Sequence, residues 1–430
     1  MNFKPIQKLT VSRTLSTGDS VAVGVLAQNR QGVFFQYDAD YLERYGNLSP
    51  FTLKPSTELQ RAPATPHQGI HGVFADCLPD GWGLLLQDRV FRQRGILAAQ
   101  VTAMDRLAFV GHNGMGALSF EPVADWLPDT SEAIDLATLG LEAQALFEGE
   151  TVDVLVDLVA VGSSGGARPK AQLFMSPDQP HHCRTRAQPG DEAWLVKFTA
   201  QNLPLGHEEG LCEAAYLQLA QRAKLEPPEW QLLQVPTRRG RRSWLAVKRF
   251  DWLRSAGHKA GRYHLHSACG LLDADFRSPS LDYADLIKAS RQLCKSPAVG
   301  QRQFRRALFN LFACNQDDHS KNWAFLQDDS GAWRLAPFYD VTFSPHPYAE
   351  HATAFAGFGK NPPLKAIQAL ARHAGFANWK LAQQAITEIV EVVAGFADVA
   401  RELEVKTETI TLMKQRLNAI WQANKALLVS

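Results

Sequence analysis

Asn315-Gln-Asp-Asp-His-Ser-Lys-Asn322 gathers two carboxylates, a histidine, a lysine and two asparagines into eight residues. An Asp, a Lys and an Asn this close can supply a base, a phosphate counter-ion and a metal ligand, the roles that phosphoryl transfer needs. The segment follows the apolar stretch Phe304–Cys314 and precedes Trp323-Ala-Phe-Leu326. Polar clusters in such a setting tend to be catalytic loops; the alternative is a solvated helix cap. Asp340, in Leu335-Ala-Pro-Phe-Tyr-Asp-Val-Thr342, stands 18 residues after Asn322. It could complete a site of oxygen ligands, which suits Mg²⁺ better than zinc. Upstream, Val161-Gly-Ser-Ser-Gly-Gly-Ala-Arg-Pro-Lys170 reads as a nest of backbone N–H groups beside two cations, fit for a phosphate, or else as a plain solvated turn. It lacks the GxxxxGK[ST] spacing of a Walker loop. Lys197, inside the apolar run Trp194–Phe198, either snorkels to solvent or holds a nucleotide phosphate. His181-His182 and His264-Leu-His266 lack the companion ligands of a zinc site and read as surface or packing residues.

These residues need elements to position them. The chain has 430 residues, enough for two to three domains. At 45% apolar and 21% charged it can bury substantial cores. Lys plus Arg is 45 and Asp plus Glu is 44, so the net charge of +1 argues against a surface that coats nucleic acid or anionic membrane. No apolar run of about 18 residues occurs, and the N-terminus shows no signal-peptide core, so a cytoplasmic protein without a membrane span is expected. Six cysteines without CxxC spacing read as reduced thiols. Val21–Ala27 and Val33–Tyr37 predict a hairpin with a turn longer than two residues. Helical spacing is expected over Leu84–Gln93, Ser131–Val159 and Glu209–Ala223, with strands at Ala117–Glu121, Ala171–Phe174, Trp194–Phe198 and Trp244–Phe250. Past residue 252 the pattern turns helical: Tyr283–Cys294, Phe304–Cys314, Leu364–His373, Lys380–Leu403 and Thr407–Leu427. In the fourth, Leu381, Ala385, Ile389, Val393, Phe396, Ala400 and Leu403 share one face.

Taken together and in order, the motifs resemble a HipA-type serine/threonine kinase, the toxin half of bacterial toxin–antitoxin pairs. Ser163–Lys170 resembles the family's glycine-rich loop, Asn315–Asn322 its catalytic loop and Ala336–Asp340 its metal-binding motif. Val247–Asp251 resembles its hinge, and Gly72–Gly83 its N-terminal subdomain. The resemblance implies an α+β, two-lobed protein-kinase-like fold: a β-rich N-terminal subdomain over 1–125, a kinase N-lobe over 126–251 and a helical C-lobe over 252–430. It implies ATP and Mg²⁺. Ser163, Ser164, Gly165, Gly166 and Lys170 would surround the phosphates, and Lys197 would bind them. Glu213 would pair with Lys197, and the backbone around Val247, Lys248 and Phe250 would meet the adenine. Asp317 would act as base, with His319 and Lys321 near the transferring phosphate, and Asn322 and Asp340 would hold the metal. Ser163, or alternatively Ser164, would be the autophosphorylated residue that silences the kinase. Implied partners are a protein substrate such as an aminoacyl-tRNA synthetase, a HipB-like helix-turn-helix antitoxin, and DNA only through that antitoxin. The loop reads Ala-Arg-Pro-Lys where the best-studied toxins have Ala-Gln-Glu-Lys. Two other readings share these residues: a co-repressor with a vestigial kinase site, and a small-molecule kinase.

Overall fold

The computed structural model describes residues 3–123, 133–150, 165–254 and 260–428. Ser163, Ser164 and the apolar stretch Val152–Val161 lie outside the described residues. The N-terminal region is a five-stranded antiparallel sheet, in the order Gln60–Arg61, Gly32–Tyr37, Ser20–Asn29, Lys8–Thr14, Leu118–Glu121. Period-two alternation puts Leu9 and Val11 in its core, with Phe35, Phe74 and Phe120. The hairpin closes on the pair Asn29–Gly32, so its loop is two residues, shorter than expected. Asn29 Oδ1 accepts the Gln31 N–H at 2.8 Å and Gly32 takes φ +135, which together make the tighter turn possible.

The second sheet is the scaffold for the glycine-rich loop and Lys197. Its six antiparallel strands run Trp230–Thr237, Gly240–Lys248, Glu192–Lys197, Lys170–Ser176, Gln179–Arg184, Ala133–Asp135. Alternate residues of the strand Gly240–Lys248 face opposite sides. Leu245 and Val247 pack on Ala214 and Leu217 of the helix Glu209–Arg222. Trp244 and Ala246 join a core with Leu139 and Ala143 of the helix Leu136–Phe147 and with Trp82 and Leu86 of the helix Gly81–Gln93. The helical span expected from Ser131 thus begins as a strand, and its helix starts at Leu136 behind the N-cap Asp135.

The C-terminal lobe is mostly helical, around a core that includes Phe304, Leu308, Phe309, Ile367, Ile386, Ile389 and Met413. The expected helix Lys380–Leu403 is two helices, Trp379–Ala394 and Phe396–Glu402, separated at Gly395. Of the predicted face, Ala385, Ile389, Val393, Phe396 and Ala400 are buried, but Leu381 is 47% exposed, because the first helix centres its buried stripe on Ala382, Ala385, Ile386 and Ile389. A three-stranded antiparallel sheet, His264–Ser267, Ala324–Gln327 and Trp333–Leu335, also belongs to this half. It flanks the loop 315–322, because the strand Ala324–Gln327 begins where that loop ends. No described helix is long and apolar enough to cross a membrane.

Candidate active site

The loop 315–322 is held by buried scaffolding. The helix Pro297–Phe312 ends just before Cys314, which takes φ +56. Asn315 then ties back, donating to Asn310 Oδ1 at 2.9 Å and accepting from Ser344 Oγ at 2.9 Å. The two adjacent carboxylates take different places. Asp318 is buried: Oδ2 accepts from the Tyr283 hydroxyl and lies 2.9 Å from His351 Nδ1, and Oδ1 accepts the Thr353 N–H at 3.2 Å. A carboxylate so enclosed sets the shape of the loop. Asp317 is open to solvent, with 70% of its side chain exposed, and its main chain is pinned. Its N–H donates to Ser344 Oγ at 3.2 Å and its C=O accepts from Asn322 Nδ2 at 2.7 Å. Of the pair, only Asp317 is accessible to an incoming hydroxyl. His319 Nε2 lies 3.9 Å from Asp317 Oδ1, and its buried Nδ1 has no hydrogen-bond partner among the described residues.

Lys197 closes the strand Glu192–Lys197. Its Nζ bonds Glu213 Oε1 at 2.5 Å and Asp340 Oδ1 at 2.6 Å, so residues distant in sequence meet at one ammonium. Asp340 holds φ +55, a conformation uncommon outside glycine and often found at functional sites. Burial disfavours the Asp340 carboxylate, but Lys197 and Lys170 outweigh it and hold this group well below the usual carboxylate range. Burial likewise opposes the Lys197 ammonium, and Asp340 with Glu213 outweighs it, holding Lys197 above the ordinary lysine range.

Lys170 is the cross-strand partner of Lys197 and is 6% exposed. It donates to Gly165 O at 2.6 Å. Burial, the largest influence, and the Lys197 ammonium push its pKa down, while Asp340 works the other way. Gly166 holds φ +94, a conformation that favours glycine, and a Cβ there would also displace the Lys170 ammonium, 2.5 Å away. Arg168 in the same loop pairs with Glu209 at 2.7 Å, one turn before Glu213 on the same helix.

The donor set at Asn322 and Asp340 fits Mg²⁺. The Asn322 amide NH₂ donates to Asp317 O, so its oxygen is the atom left to serve as a ligand, and the Asp340 carboxylate is the second oxygen donor the sequence offers. Among the described residues no group of three or more His, Cys, Asp or Glu forms a metal site. Two protein oxygens suit an ion that keeps several waters.

In the hinge stretch, the Lys248 and Arg249 N–H groups are bonded to Glu229 O at 2.8 Å and Ala193 O at 2.9 Å. The Lys248 ammonium pairs with Glu192 and Glu229, both at 2.9 Å. The Val247 side chain is in the helix-facing core, and Phe250 packs on Tyr339, the neighbour of Asp340, at 5.4 Å between ring centres. Arg249 and Asp251 form a buried ion pair at 2.5 Å that also takes Gln172 Oε1, Gly114 O and the Gly116 N–H.

Sequence reasoning gave no role to Asp76, Asp80 or Asp318. Lys321 Nζ is bonded to Asp80 Oδ2 at 2.6 Å, and Asp76 accepts from His266 Nδ1 at 2.6 Å and the Ser267 N–H at 2.7 Å. The available signal was two aspartates four residues apart around Pro79, in a glycine-punctuated turn. Their partners are some 190 to 240 residues away along the chain, beyond the reach of any local pattern. His264 and His266 are both fully buried, as packing histidines. All six cysteines are unpaired thiols.

Comparison with known proteins places this geometry. Two curated proteins are similar to parts of the chain and carry the name "putative kinase". One, Y4mE of Sinorhizobium fredii, is 30% identical over 41% of this chain and 44% of its own length. The other, from Haemophilus influenzae, is 25% identical over 45% of this chain and 56% of its own. The chain therefore spans about half the length of the curated relatives it matches. Among solved structures, HipA in the Shewanella oneidensis MR-1 complex of HipA, HipB and operator DNA shares the fold. Its TM-score is 0.68 at 20% identity, over 98% of this chain and 96% of that one. The model of the HipA N-terminal domain matches residues 18–121. The model of the HipA-like C-terminal domain matches residues 162–399, more than half of the sequence, and on that ground the chain belongs to the HipA family.

Proposed function

We propose that this chain is an ATP- and Mg²⁺-dependent serine/threonine protein kinase of the toxin type. The observation that carries this reading is the meeting of Lys197, Glu213 and Asp340 at one ammonium, together with the solvent-open Asp317 on a rigid loop. The buried Lys170 and its cross-strand partner Lys197, whose side chain is 12% exposed, supply fixed positive charge for a nucleotide's phosphates. Asp317 would accept the proton of the attacking hydroxyl, and the pinned backbone on either side of it keeps that carboxylate in place. Asn322 and Asp340 would hold Mg²⁺, which supplies neutralisation of charge on the transferring group. The names of the two curated relatives and the shared HipA fold support kinase chemistry.

Silencing by a phosphate on Ser163, or on the adjacent Ser164, belongs to the same proposal. A dianion beside Gly165 and Lys170 would compete for the positive groups that ATP needs. A HipB-like helix-turn-helix antitoxin is the proposed partner, because the Shewanella protein of the same fold is found with HipB and operator DNA. With a net charge of +1, this chain would meet DNA mainly through that partner. The acceptor would be a protein such as an aminoacyl-tRNA synthetase.

The test is transfer of labelled γ-phosphate to the protein itself, with intact mass before and after phosphatase. Asp317→Ala is expected to abolish transfer and leave folding intact, since the side chain is exposed. Equal labelling of variant and wild type would remove Asp317 from the role of base.

A further inference from the structure

The segment Asp80-Gly-Trp82 belongs to the N-terminal region, yet it lies against the glycine-rich loop. Asp80 is 6% exposed. Its Oδ1 accepts the backbone N–H of Gly166, and its Oδ2 accepts Lys321 Nζ at 2.6 Å. The Trp82 N–H donates to Gly166 O at 3.0 Å, and the indole N–H donates to Lys170 O at 2.9 Å. Gly81 makes this approach possible: at φ +40, a Cβ would stand 2.6 Å from Gly166 O and 2.7 Å from Ala167 Cα. The segment is in turn braced on the C-terminal lobe, where Asp76 accepts from His266 Nδ1, the Ser267 N–H and Ser267 Oγ.

One carboxylate thus joins residues 80, 166 and 321. Both of its donors are of the kind that grips phosphate, a glycine-loop N–H and an ammonium. The Asp80 and Lys321 side chains are 8% and 17% exposed, so the pair is shielded rather than a mobile surface contact. Burial opposes the charge on Asp80, and the Lys321 ammonium and Gly166 N–H outweigh it, keeping the group ionised below the usual carboxylate range.

We propose that Asp80 is a positioning residue of the candidate kinase site, through which the N-terminal region holds the glycine-rich loop and Lys321 in place for the phosphate donor. What is positioned rests on the kinase reading above; the clamp itself does not. Asp80→Asn keeps the shape and one acceptor but loses the charge that holds Lys321. In the full chain without nucleotide, hydrogen exchange of the peptide 165–172 is expected to rise by about tenfold or more. The apparent KM for ATP is expected to rise by about tenfold, with a smaller change in kcat and a Tm within a few degrees of wild type. Lys321→Gln, measured alone, should speed exchange of the same peptide, and the double variant should be no worse than the stronger single one. Unchanged exchange and KM in Asp80→Asn, with a wild type that transfers phosphate, would overturn the clamp and leave the kinase reading standing. So would a lower KM, which would make Asp80 a competitor of the phosphate. Faster exchange in a protein whose wild type transfers nothing would overturn the kinase reading and leave the clamp. If Asp80→Asn does not fold, Lys321→Gln decides: unchanged exchange at 165–172 overturns the proposal.

Discussion

Neighbouring aspartates show how tertiary surroundings divide labour between identical side chains. Asp317 and Asp318 are adjacent, yet one is open to solvent and the other meets Tyr283, His351 and Thr353 in the interior. Removing an enclosed, hydrogen-bonded carboxylate strands every donor around it. Asp318→Ala should therefore lower stability by about 3 kcal/mol, whereas Asp317→Ala should stay within about 0.5 kcal/mol of wild type. Urea denaturation of both variants checks this, and equal midpoints would remove the structural role of Asp318. The sequence cluster Asn315–Asn322 was legible as a candidate loop because polar residues between apolar segments are a local signal. Which of its two carboxylates faces solvent was not legible, since Tyr283 and His351 come from distant segments.

Elements carry the charges that make stability depend on pH. Asp251 sits just after the strand Gly240–Lys248, Asp80 beside the glycine-rich loop and Asp340 beyond the loop 315–322. In each, burial opposes ionisation and is outweighed, by Arg249 at Asp251, by Lys321 at Asp80 and by Lys197 at Asp340. Their folded pKa values lie below the roughly 3.9 of a free Asp. Below about pH 4 the unfolded chain takes up protons that the folded chain refuses, so their contribution, present above that pH, is lost as pH falls. His71 acts in a higher window. Burial pushes it down to about 4, against the opposing pull of Asp273. The unfolded chain therefore binds a proton there that the folded chain does not, and stability is lost as pH falls from about 6.5 to 4. Urea midpoints from pH 8 to pH 3 should fall in two stages. His71→Leu should shrink the upper stage, leaving the part that the buried His264 contributes, and Asp251→Asn should shrink the lower, leaving the parts of Asp80 and Asp340. An unaltered profile in either variant would contradict the assignment. Helix ends were the least legible elements: the break at Gly395 divided one predicted helix into two, and Leu381, near the first helix's start, lies off its buried stripe.

At the scale of the whole molecule, the N-terminal region is a bracket across the lobes. Arg13 is fully buried and donates to Tyr41 OH, Gln327 Oε1, Gln327 O and Asp328 O, at 2.9 to 3.2 Å. Gly72 and Gly270 pack so closely that a Cβ on Gly72 would stand 2.1 Å from Gly270 O. With Asp76, Asp80 and the Gly114–Gly116 turn, these contacts tie the first sheet to the C-terminal lobe, the glycine-rich loop and the hinge. Arg13→Met would remove the guanidinium donors from Gln327 Oε1, Gln327 O and Asp328 O, of which Asp328 O keeps the Gly331 N–H. It should cost about 3 kcal/mol and separate the unfolding of the N-terminal region from the rest. Calorimetry reads this as a lower first transition, and a single transition at the wild-type Tm would show that the bracket carries no load.

By itself, the sequence determined the order and type of most elements, the family resemblance and the identity of the candidate site residues. Those properties rest on local signals: hydrophobic period, turn residues, and polar clusters inside short windows. Only the tertiary structure decided that Lys197 is shared by Glu213 and Asp340, that Asp317 rather than Asp318 is open, and that Asp80 joins the glycine-rich loop to Lys321. These contacts bridge residues up to 241 positions apart. Their energies come from burial and charge pairing that exist only once the chain has folded, so no local pattern encodes them.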